Sequence, residues 1–419
     1  MPEAVPETIV IGAGIVGLST ALALQREGHR VTVLDPAGPA GGASAGNAGW
    51  LSGASVVPSA YPGMLKSVPG WLIDPLGPLS LRWRHIPRAA PWLWRFVRAG
   101  TPSRIAAQAT ALRHLLAPSV ASHRDLAAAV GAQHLIRQQG ALWVYRTEAG
   151  FKADAGGATL RRAQGVTVED LNADAIRQLE PSLSRDITFG RFVAENGHCT
   201  DPAALCHLVA EAIVRAGGKV LRERATVLDQ RNGKVVAVRT DVTNHPADWL
   251  VIAAGAWSAW LARQLGDRMP LESERGYHLE ITASEAMPGL PIMSGEGKFA
   301  VTPMAGRLRL AGTVEFAGLA APPDWRRANL LLGQAQRLFP ALPASLPEAR
   351  LSRWLGHRPS TPDSLPVIGR SRNAANAIHA FGHGHVGLAS GPFTGRIVAD
   401  LIAGRAPPID LTPFAPGRF

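Results

Sequence analysis

Short apolar runs and amphipathic stretches alternate along the N-terminal part of the chain. Residues 8–11 form an apolar run that predicts a buried strand, and residues 15–27 have apolar positions at helical spacing. Gly28 is expected to end this helix, and residues 31–34 form a second apolar run. The pattern therefore predicts a strand–helix–strand unit within the first 35 residues.

The same alternation returns in the middle of the chain and at its C-terminal end. Asp201 and Pro202 are typical of a helix start, as cap and first helical residue, and Asn232-Gly233 is typical of a tight hairpin turn. The other predicted elements are a long helix over 105–130, a helix over 388–403, and strands at 141–145, 219–221, 226–228, 235–239, 249–253, 277–282, 307–313 and 377–381.

The three regions of α/β alternation predict one domain built from separate pieces of chain. The segments between them have a different pattern of apolar and polar residues and predict a second, α+β domain inserted into the first. The expected boundaries are 1–50, 196–265 and 354–419 for the first domain, and 51–195 and 266–353 for the second.

Composition excludes several classes of protein. With 46% hydrophobic and 18% charged residues among 419, the chain is not disordered, and two cysteines exclude a disulfide-stapled scaffold. The net charge of +11 fits a nucleic-acid or membrane partner, but 38 of the 43 basic residues are Arg and most are scattered, which favours a compositional bias. With no apolar leader at the N-terminus and no apolar run long enough to span a membrane, we expect a soluble, cytoplasmic protein.

Residues 66–104 are unusual. They contain four of the eleven Trp residues, Lys66 and six Arg, against one acid, Asp74. This composition fits a peripheral contact with an anionic bilayer, close to a quinone, but it also fits a segment that covers the second domain. We favour the cover and keep the membrane contact as the alternative.

Residues 12–17 read Gly-Ala-Gly-Ile-Val-Gly, between the first predicted strand and helix. Gly12 permits a tight turn, Gly14 lets the backbone approach a pyrophosphate, and Gly17 allows close packing of helix on strand. The backbone N–H groups of the first helical turn, at Ile15 and Val16, are available to phosphates. Asp35 ends the second strand and is placed to bind a ribose hydroxyl, so the sequence predicts a dinucleotide site.

The sequence after Asp35 favours a flavin over a nicotinamide. Further parallel βα repeats are expected in a nicotinamide dehydrogenase, but here residues 41–49 are a Gly/Ser/Asn loop. A second glycine-rich turn at 383–387 precedes the last helix, whose N-terminus would favour negative charge on a reduced flavin. An NAD-dependent dehydrogenase remains an alternative, and it would give a colourless protein.

Several motifs in the same order resemble the D-amino-acid-oxidase-type FAD oxidoreductase superfamily, and most closely its bacterial D-amino acid dehydrogenases. The matching stretches are 11–17, Ser44-Ala-Gly-Asn-Ala-Gly49, Arg275-Gly-Tyr-His-Leu279, Gly312-Thr-Val-Glu315, Gly356-His-Arg-Pro359, 362–369 and Gly382-His-Gly-His-Val-Gly387. The resemblance covers nearly the whole chain. It implies a Rossmann-like FAD-binding domain with an inserted substrate domain, as in p-hydroxybenzoate hydroxylase and D-amino acid oxidase.

The resemblance also implies roles for individual residues. Arg358 matches the arginine that binds the substrate carboxylate, although His357 stands where Leu is usual. Tyr277, His278, Glu315, His385 and Lys298 are expected at the substrate pocket, where Lys298 would lie over the flavin. The residues expected to bind FAD are Gly12, Gly14, Ile15, Val16, Gly17, Asp35, Ser44, Asn47, Ala48, Gly49, Val227, Ala254, Gly255, Trp257, Gly382, His383, Gly384, His385, Val386, Gly387 and Leu388.

The implied reaction is oxidation of a D-amino acid, with D-proline and hydroxy-D-proline as further candidates. A hydride passes from the α-carbon to flavin N5, the product is an imine or a 2-oxo acid, and electrons pass to a quinone or other carrier. FAD is expected to be non-covalent, because Cys199 and Cys206 lie outside the motifs for covalent attachment, and no metal site is expected because His383 and His385 lack a third ligand.

Three alternatives stay open for the activity. A glycine- or sarcosine-oxidase-like enzyme would use O₂ as the acceptor. An RNA-acting flavoenzyme would exploit the positive charge, but the chain has no separate RNA-binding segment, so no nucleic-acid partner is expected. A non-catalytic flavin-binding subunit of a membrane complex would use residues 66–104 for contact.

Overall fold

The computed structural model describes residues 5–61, 77 and 79–419. Lys66, Trp71 and Asp74 of the Trp- and Arg-rich segment therefore lie outside the described residues.

The strands are numbered in chain order. They are β1 (Glu7–Ile11), β2 (Arg30–Leu34), β3 (Trp50–Leu51), β4 (Leu79–Leu81), β5 (Ile136–Arg137), β6 (Ala141–Tyr145), β7 (Glu169–Leu171), β8 (Phe189–Val193), β9 (Gly197–Cys199), β10 (Lys219–Leu221), β11 (Ala225–Arg231), β12 (Lys234–Thr240), β13 (Asn244–Pro246), β14 (Trp249–Ile252), β15 (Glu272–Thr282), β16 (Ile292–Ser294), β17 (Phe299–Met304), β18 (Arg307–Phe316), β19 (Leu351–Ser360), β20 (Val367–Arg370) and β21 (Ala377–Phe381).

The α-helices are numbered in the same way. They are α1 (Ile15–Arg26), α2 (Ile86–Ala99), α3 (Pro102–Leu116), α4 (Ser119–Val130), α5 (Glu148–Ala153), α6 (Ala155–Ala163), α7 (Ala173–Leu179), α8 (Pro202–Arg215), α9 (Ser258–Gln264), α10 (Arg326–Leu338) and α11 (Gly387–Ile402). Within the described part of the chain, none of them is long and apolar enough to cross a bilayer.

A six-stranded sheet joins distant parts of the chain in the order β10-β2-β1-β14-β21-β20. Its first five strands are parallel, and β20 runs antiparallel to β21. Because β1, β2 and β14 are parallel, their carboxyl ends meet at one edge, where cofactors bind in such sheets. The predicted strand–helix–strand unit and the α/β fold class are confirmed.

A nine-stranded mixed sheet forms the second layer, in the order β19-β15-β18-β17-β16-β6-β8-β7, with β4 beside β18. One face of β15 and β18 carries Leu279, Ile281 and Leu310, which pack with Leu331 of α10. The opposite face of these strands lies against the loop 41–49. There the Arg309 guanidinium donates hydrogen bonds to Ala45 O and Asn47 O.

Two three-stranded sheets, β11-β12-β13 and β3-β9-β5, complete the fold. Asn232 and Gly233 turn between β11 and β12 with φ of 52° and 69°, as a tight hairpin turn requires, so the predicted turn is confirmed. The domain division stays a prediction; its expected boundary at 354 falls inside β19.

The single helix predicted over 105–130 is wrong. The structure has α3 and α4 there, separated by Ala117 and Pro118. Proline has no N–H for the helix ladder, and its ring would clash with the carbonyl four residues earlier. Pro118 therefore ends the first helix and stands directly before the second.

Helices α1 and α11 pack closely against each other. A Cβ atom at residue 395 would lie 2.7 Å from the backbone carbon of Ser19 and 2.8 Å from the nitrogen of Thr20. Leu18, Leu22 and Val398, which belong to the same core, are buried around this contact. The two helices that begin at the cofactor edge of the sheet are thus held at a spacing that only glycine permits.

We expect Gly395→Ala to destabilise the protein by about 1–3 kcal/mol, because the added methyl forces the α1 and α11 backbones apart. The matched control is Gly333→Ala in α10, where nothing lies within 4 Å of the new methyl. There the substitution should stabilise by up to ~1 kcal/mol, since alanine is the better helix former. Thermal unfolding of both variants measures the difference, and equal melting temperatures would contradict the close-packing argument.

Candidate active site

A cavity of about 930 Å³ opens at the carboxyl ends of β1, β2 and β14. Ile11, Leu34 and Ala253 mark these three strand ends among its lining residues. The volume lies near the upper end of the range of about 300–1,000 Å³ for small-molecule and cofactor sites.

The turn after β1 brings backbone N–H groups to the cavity. Gly12 has φ of +113°, and a Cβ atom there would lie 2.3 Å from Ala253 O, so only glycine fits. The N–H of Ala13 donates to the Asp35 carboxylate at 2.9 Å, and the N–H of Ile15 donates to Ser44 Oγ at 3.0 Å. Helix α1 has no capping side chain at Gly14 and no acid in its first turn, so beyond Ile15 the N–H groups of that turn are available to an anion.

One end of the cavity is formed by Asp35 and the segment 224–226. The second Asp35 oxygen accepts the N–H of Ala37 at 2.9 Å, so the carboxylate is fixed at the strand end. Arg224, Ala225 and Thr226 line the cavity beside it. Val227, expected here from the sequence, does not line the cavity and is exposed.

The loop 41–49 forms a wall of the cavity through Ser44 and Asn47. Asn47 Oδ1 accepts the N–H of Gly49 at 2.9 Å, and Gly49 O accepts the N–H of Cys199 at 2.7 Å. The loop is thereby tied to β9. Ala48 and Gly49 shape this turn without lining the cavity.

The second glycine-rich turn forms the far end. His383, Gly384, Gly387 and Leu388 line the cavity, and α11 begins at Gly387 with no side-chain cap. His383 Nε2 lies 3.2 Å from Thr394 Oγ1, and burial lowers the pKa of His383 to about 3, so the ring is neutral. A second helix N-terminus therefore faces the cavity, and the His383 ring beside it adds no positive charge.

The remaining expected cofactor residues divide between the lining and its support. Gly14, Ile15, Val16, Ala254, Gly255 and Trp257 line the cavity, whereas Gly17, Gly382, His385 and Val386 stand behind or beside it. A Cβ atom at Gly17 would lie 1.9 Å from Gly12 O, so its role is to let α1 pack against the turn.

These features together fit FAD. The cavity lining includes an acid at a strand end, one helix N-terminus with its glycines, and a second helix N-terminus. Each of these parts matches a part of the cofactor: a ribose hydroxyl, the pyrophosphate, and the electron-rich edge of the flavin.

A buried carboxylate gathers three polar side chains beside the second glycine-rich turn. Glu274, on β15, is 5% exposed. Its Oε1 lies 3.1 Å from His385 Nε2 and 3.5 Å from Arg358 Nη1, and its Oε2 accepts the Ser360 hydroxyl at 2.9 Å. The charge of Glu274 favours the protonated ring, but desolvation and the charge of Arg358 outweigh it and lower the pKa of His385.

The Arg358 guanidinium lies flat over Gly276 of the neighbouring strand. A Cβ atom at residue 276 would lie 2.2 Å from Nη2 and 2.7 Å from Nη1, so the glycine makes the room. Nη1 also donates to Thr313 O at 3.3 Å. Among the described residues, no acceptor is bonded to Nη2 or Nε, and the side chain is 24% exposed, so a ligand can reach these donors.

Two residues expected at the substrate lie on the opposite face of β15 and β18 from Arg358. The Tyr277 hydroxyl donates to Glu315 Oε2 at 2.6 Å, and Glu315 also pairs with Arg275 and Arg82. The cluster is buried next to α10, and burial raises the pKa of Tyr277 to about 12. The structure therefore brings Tyr277 and Glu315 to each other and not to Arg358.

His278 and Lys298 also lie outside the Glu274 cluster. His278 Nδ1 donates to Gly46 O at 3.0 Å, and the ring stacks on Trp354. Burial lowers the pKa of His278 to about 4, so it is a neutral support for the loop 41–49. Lys298 is exposed in the turn between β16 and β17 and does not line the cavity.

The cysteines lie in the protein interior. Both Cys199 and Cys206 are unpaired and buried, and burial raises the pKa of the Cys199 thiol to about 12. They are packing groups, and non-covalent attachment of FAD stays a prediction. In the described residues, no group of three or more His, Cys, Asp or Glu side chains could hold a metal ion.

The sequence did not reveal the roles of Glu274, Ser360, Arg224 and Thr226. It also did not reveal that Gly276 makes room for the Arg358 guanidinium. Glu274 stands directly before the Arg-Gly-Tyr-His stretch, but its partners are 84 residues away or more. The strand predicted over 277–282 begins three residues too late to include Glu274, and only β15, which begins at Glu272, shows that Glu274 faces the side of the sheet opposite Arg275.

Comparison with known proteins agrees with this geometry. Residues 7–401 match the family described as FAD dependent oxidoreductase (DAO). The chain is 46% identical to the D-amino-acid oxidase of Bradyrhizobium diazoefficiens over the full length of both, and 33% identical to the D-amino acid dehydrogenase of Rhizobium johnstonii over 99% of this chain and 100% of that one.

Solved structures share the fold. Glycine oxidase from Geobacillus kaustophilus aligns over 99% of both chains with a TM-score of 0.76 and 21% identity, and L-amino acid deaminase from Proteus vulgaris over 100% of this chain and 98% of that one with a TM-score of 0.74 and 17% identity. The family match covers nearly the whole chain, and the cavity fits FAD. The chain therefore belongs to the DAO family of FAD-dependent oxidoreductases.

Proposed function

We propose that the protein oxidises free D-amino acids, including cyclic D-imino acids such as D-proline, and passes the electrons to a quinone or another carrier. The observation that carries the proposal is the Glu274 cluster, in which Arg358 and His385 meet at the second glycine-rich turn, next to the cavity lining at Pro359 and Gly384. The D configuration is supported by the names of the relatives, D-amino-acid oxidase and D-amino acid dehydrogenase.

Arg358 binds the substrate carboxylate in this proposal. A guanidinium and a carboxylate form two parallel hydrogen bonds, which fix the α-carbon in position and orientation. Among the described residues only Nη1 of Arg358 is bonded to protein acceptors, so Nη2 and Nε are left for such a fork. Glu274 holds the guanidinium in place through Nη1.

His385 takes the proton that the substrate amine must lose before oxidation. The amine of an α-amino acid is one carbon from the carboxylate, so a carboxylate on Arg358 brings the amine toward the Glu274–His385 pair. The lowered pKa of His385 leaves its ring neutral at neutral pH, ready to accept a proton. His278 cannot play this part, because its Nδ1 is bonded to Gly46 and its ring lies against Trp354.

FAD, when bound, supplies the two-electron acceptor for the C–N bond. Residues of the first turn, the loop 41–49 and the second glycine-rich turn would hold it. The substrate is oxidised to an imine, which water hydrolyses to a 2-oxo acid and ammonia, or which stays a ring imine when the substrate is cyclic.

The decisive experiment is anaerobic bleaching of the purified yellow protein. The panel holds the D and L forms of alanine and proline, a hydroxy-D-proline, sarcosine and glycine, each followed by O₂ or a quinone. Bleaching by D substrates alone, with faster reoxidation by the quinone, is the expected result. Bleaching by L substrates alone, or by no amine, would overturn the proposal, and fast reoxidation by O₂ would make the protein an oxidase.

Replacing Arg358 by Ala should lower kcat/KM by about 10–100-fold, mainly through KM, because the charge-assisted hydrogen bonds to the carboxylate are lost. Arg358→Lys should be intermediate, since it keeps the charge without the fork. The matched control is Arg353→Ala on the same strand, where the guanidinium pairs with Glu348. An unchanged KM in Arg358→Ala would exclude a carboxylate-binding role.

The pH dependence tests the proton acceptor. Since His385 must be neutral, kcat/KM should fall as the pH drops through its pKa, which lies below the ordinary value of 6.5. Glu274 is the group that raises this pKa, so Glu274→Gln should move the acid limb to still lower pH.

His385→Asn is the companion variant. It should abolish the acid limb and lower kcat by on the order of a hundredfold, as the loss of a proton acceptor does. An acid limb at the same pH in the wild type, Glu274→Gln and His385→Asn would show that this titration belongs to another group.

A further inference from the structure

Helix α2 presents a stripe of apolar side chains to solvent. Trp83, in the turn that leads into the helix, is 72% exposed, and Trp94 is 64% exposed. Ile86 and Val97 are exposed beside them. Residues three, four, seven and eight apart share a helix face, so these four side chains lie along one side of the helix and form an apolar ridge on it.

Arginines follow one side of this ridge. Arg84, Arg88, Arg95 and Arg98 are exposed, and the Arg84 guanidinium lies 5.0 Å from the centre of the Trp83 ring. The chain has no Asp or Glu between Asp74 and Asp125. Throughout residues 5–61, 77 and 79–419, no carboxylate pairs with these four arginines, so their charge is uncompensated.

The opposite face of α2 is anchored above the candidate active site. Trp92 is buried, its indole N–H donates to Ser360 O at 3.0 Å, and its ring stacks on Phe96. Ser360 is the residue whose hydroxyl bonds to Glu274. The inner face is thus fixed to the body, and the ridge and its arginines must point outward.

We propose that this ridge, with its arginine flank, docks on an anionic lipid bilayer. Exposed tryptophans beside arginines suit the boundary between headgroups and acyl chains, where the rings enter the apolar layer and the guanidinium groups meet lipid phosphates. A second copy of the chain fits less well, because a two-fold contact through this ridge would bring the two arginine flanks together. The inference goes beyond the proposed function, since docking requires no catalysis.

Co-sedimentation of the flavin-loaded protein with vesicles tests the proposal. We expect binding to vesicles of phosphatidylcholine that contain phosphatidylglycerol, little binding to phosphatidylcholine alone, and weakening as salt is added, because the arginine contacts are screened. A protein that stays in the supernatant with anionic vesicles would overturn the proposal.

Variants assign the binding to this surface. Trp83→Ser with Trp94→Ser should weaken binding at least about tenfold, through lost burial of the rings. Arg88→Gln with Arg95→Gln and Arg98→Gln should weaken it on the order of a hundredfold, at about fivefold for each arginine near an anionic surface. All variants should keep their flavin and their bleaching by substrate, which shows that they are folded.

Matched controls remove exposed groups elsewhere. Val214→Ser with Val242→Ser removes apolar side chains that are also exposed, and Arg215→Gln with Arg231→Gln and Arg396→Gln removes the same number of charges. Both controls should bind like the wild type apart from a small uniform effect of net charge. Equal losses in the controls and in the α2 variants would overturn the assignment to α2.

Two other outcomes also count against the bilayer. In sedimentation velocity, a dimer that the Trp83/Trp94 variant converts to a monomer would make the ridge an interface between copies. Salt-sensitive binding of RNA without binding to vesicles would make the arginine flank a nucleic-acid surface.

Discussion

A side chain at residue 12 would collide with the carbonyl of Ala253, and one at residue 17 would collide with the carbonyl of Gly12. Three pieces of chain, the ends of β1 and β14 and the start of α1, therefore meet at backbone distance. This contact places the N-terminus of α1 at the cavity, where Ser44 Oγ accepts the Ile15 N–H and the following N–H groups have no side-chain cap. The same constraint recurs where α11 crosses α1 at Gly395. Both helices that face the cofactor are therefore positioned by glycines that let two backbones come into contact.

The substrate end of the site depends on a different kind of contact. Glu274 is a buried carboxylate whose two oxygens are shared among Arg358, His385 and Ser360. A carboxylate out of water has to be paired and hydrogen-bonded, and here its partners come from β19 and from the second glycine-rich turn. One residue thereby fixes the carboxylate-binding group and the proton acceptor relative to each other. Through Ser360 and Trp92 it also connects the site to the helix that carries the proposed membrane surface.

Arginine has three distinct uses in this protein. Arg275 is fully buried beside Glu315, where it helps to pack the sheet against α10. Arg358 is partly exposed and keeps free donors for a ligand. The arginines along α2 are exposed without a carboxylate partner among the described residues. The overall charge of +11 does not distinguish these uses, because the function of a guanidinium depends on its neighbours and on its access to water.

The sequence by itself determined the strand–helix–strand unit, the glycine-rich turn and Asp35, because those signals lie within the first 35 residues, and the motifs at 41–49 and 383–387 added the FAD assignment. It also pointed to Arg358 and His385 through short motifs. Only the tertiary structure decided that Glu274 joins these two, that Tyr277 and Glu315 face α10, and that Lys298 lies away from the cavity. These placements depend on the register between neighbouring strands and on the face of the sheet to which each side chain points. Both join residues that are tens of positions apart or more, so no local pattern in the sequence reports them.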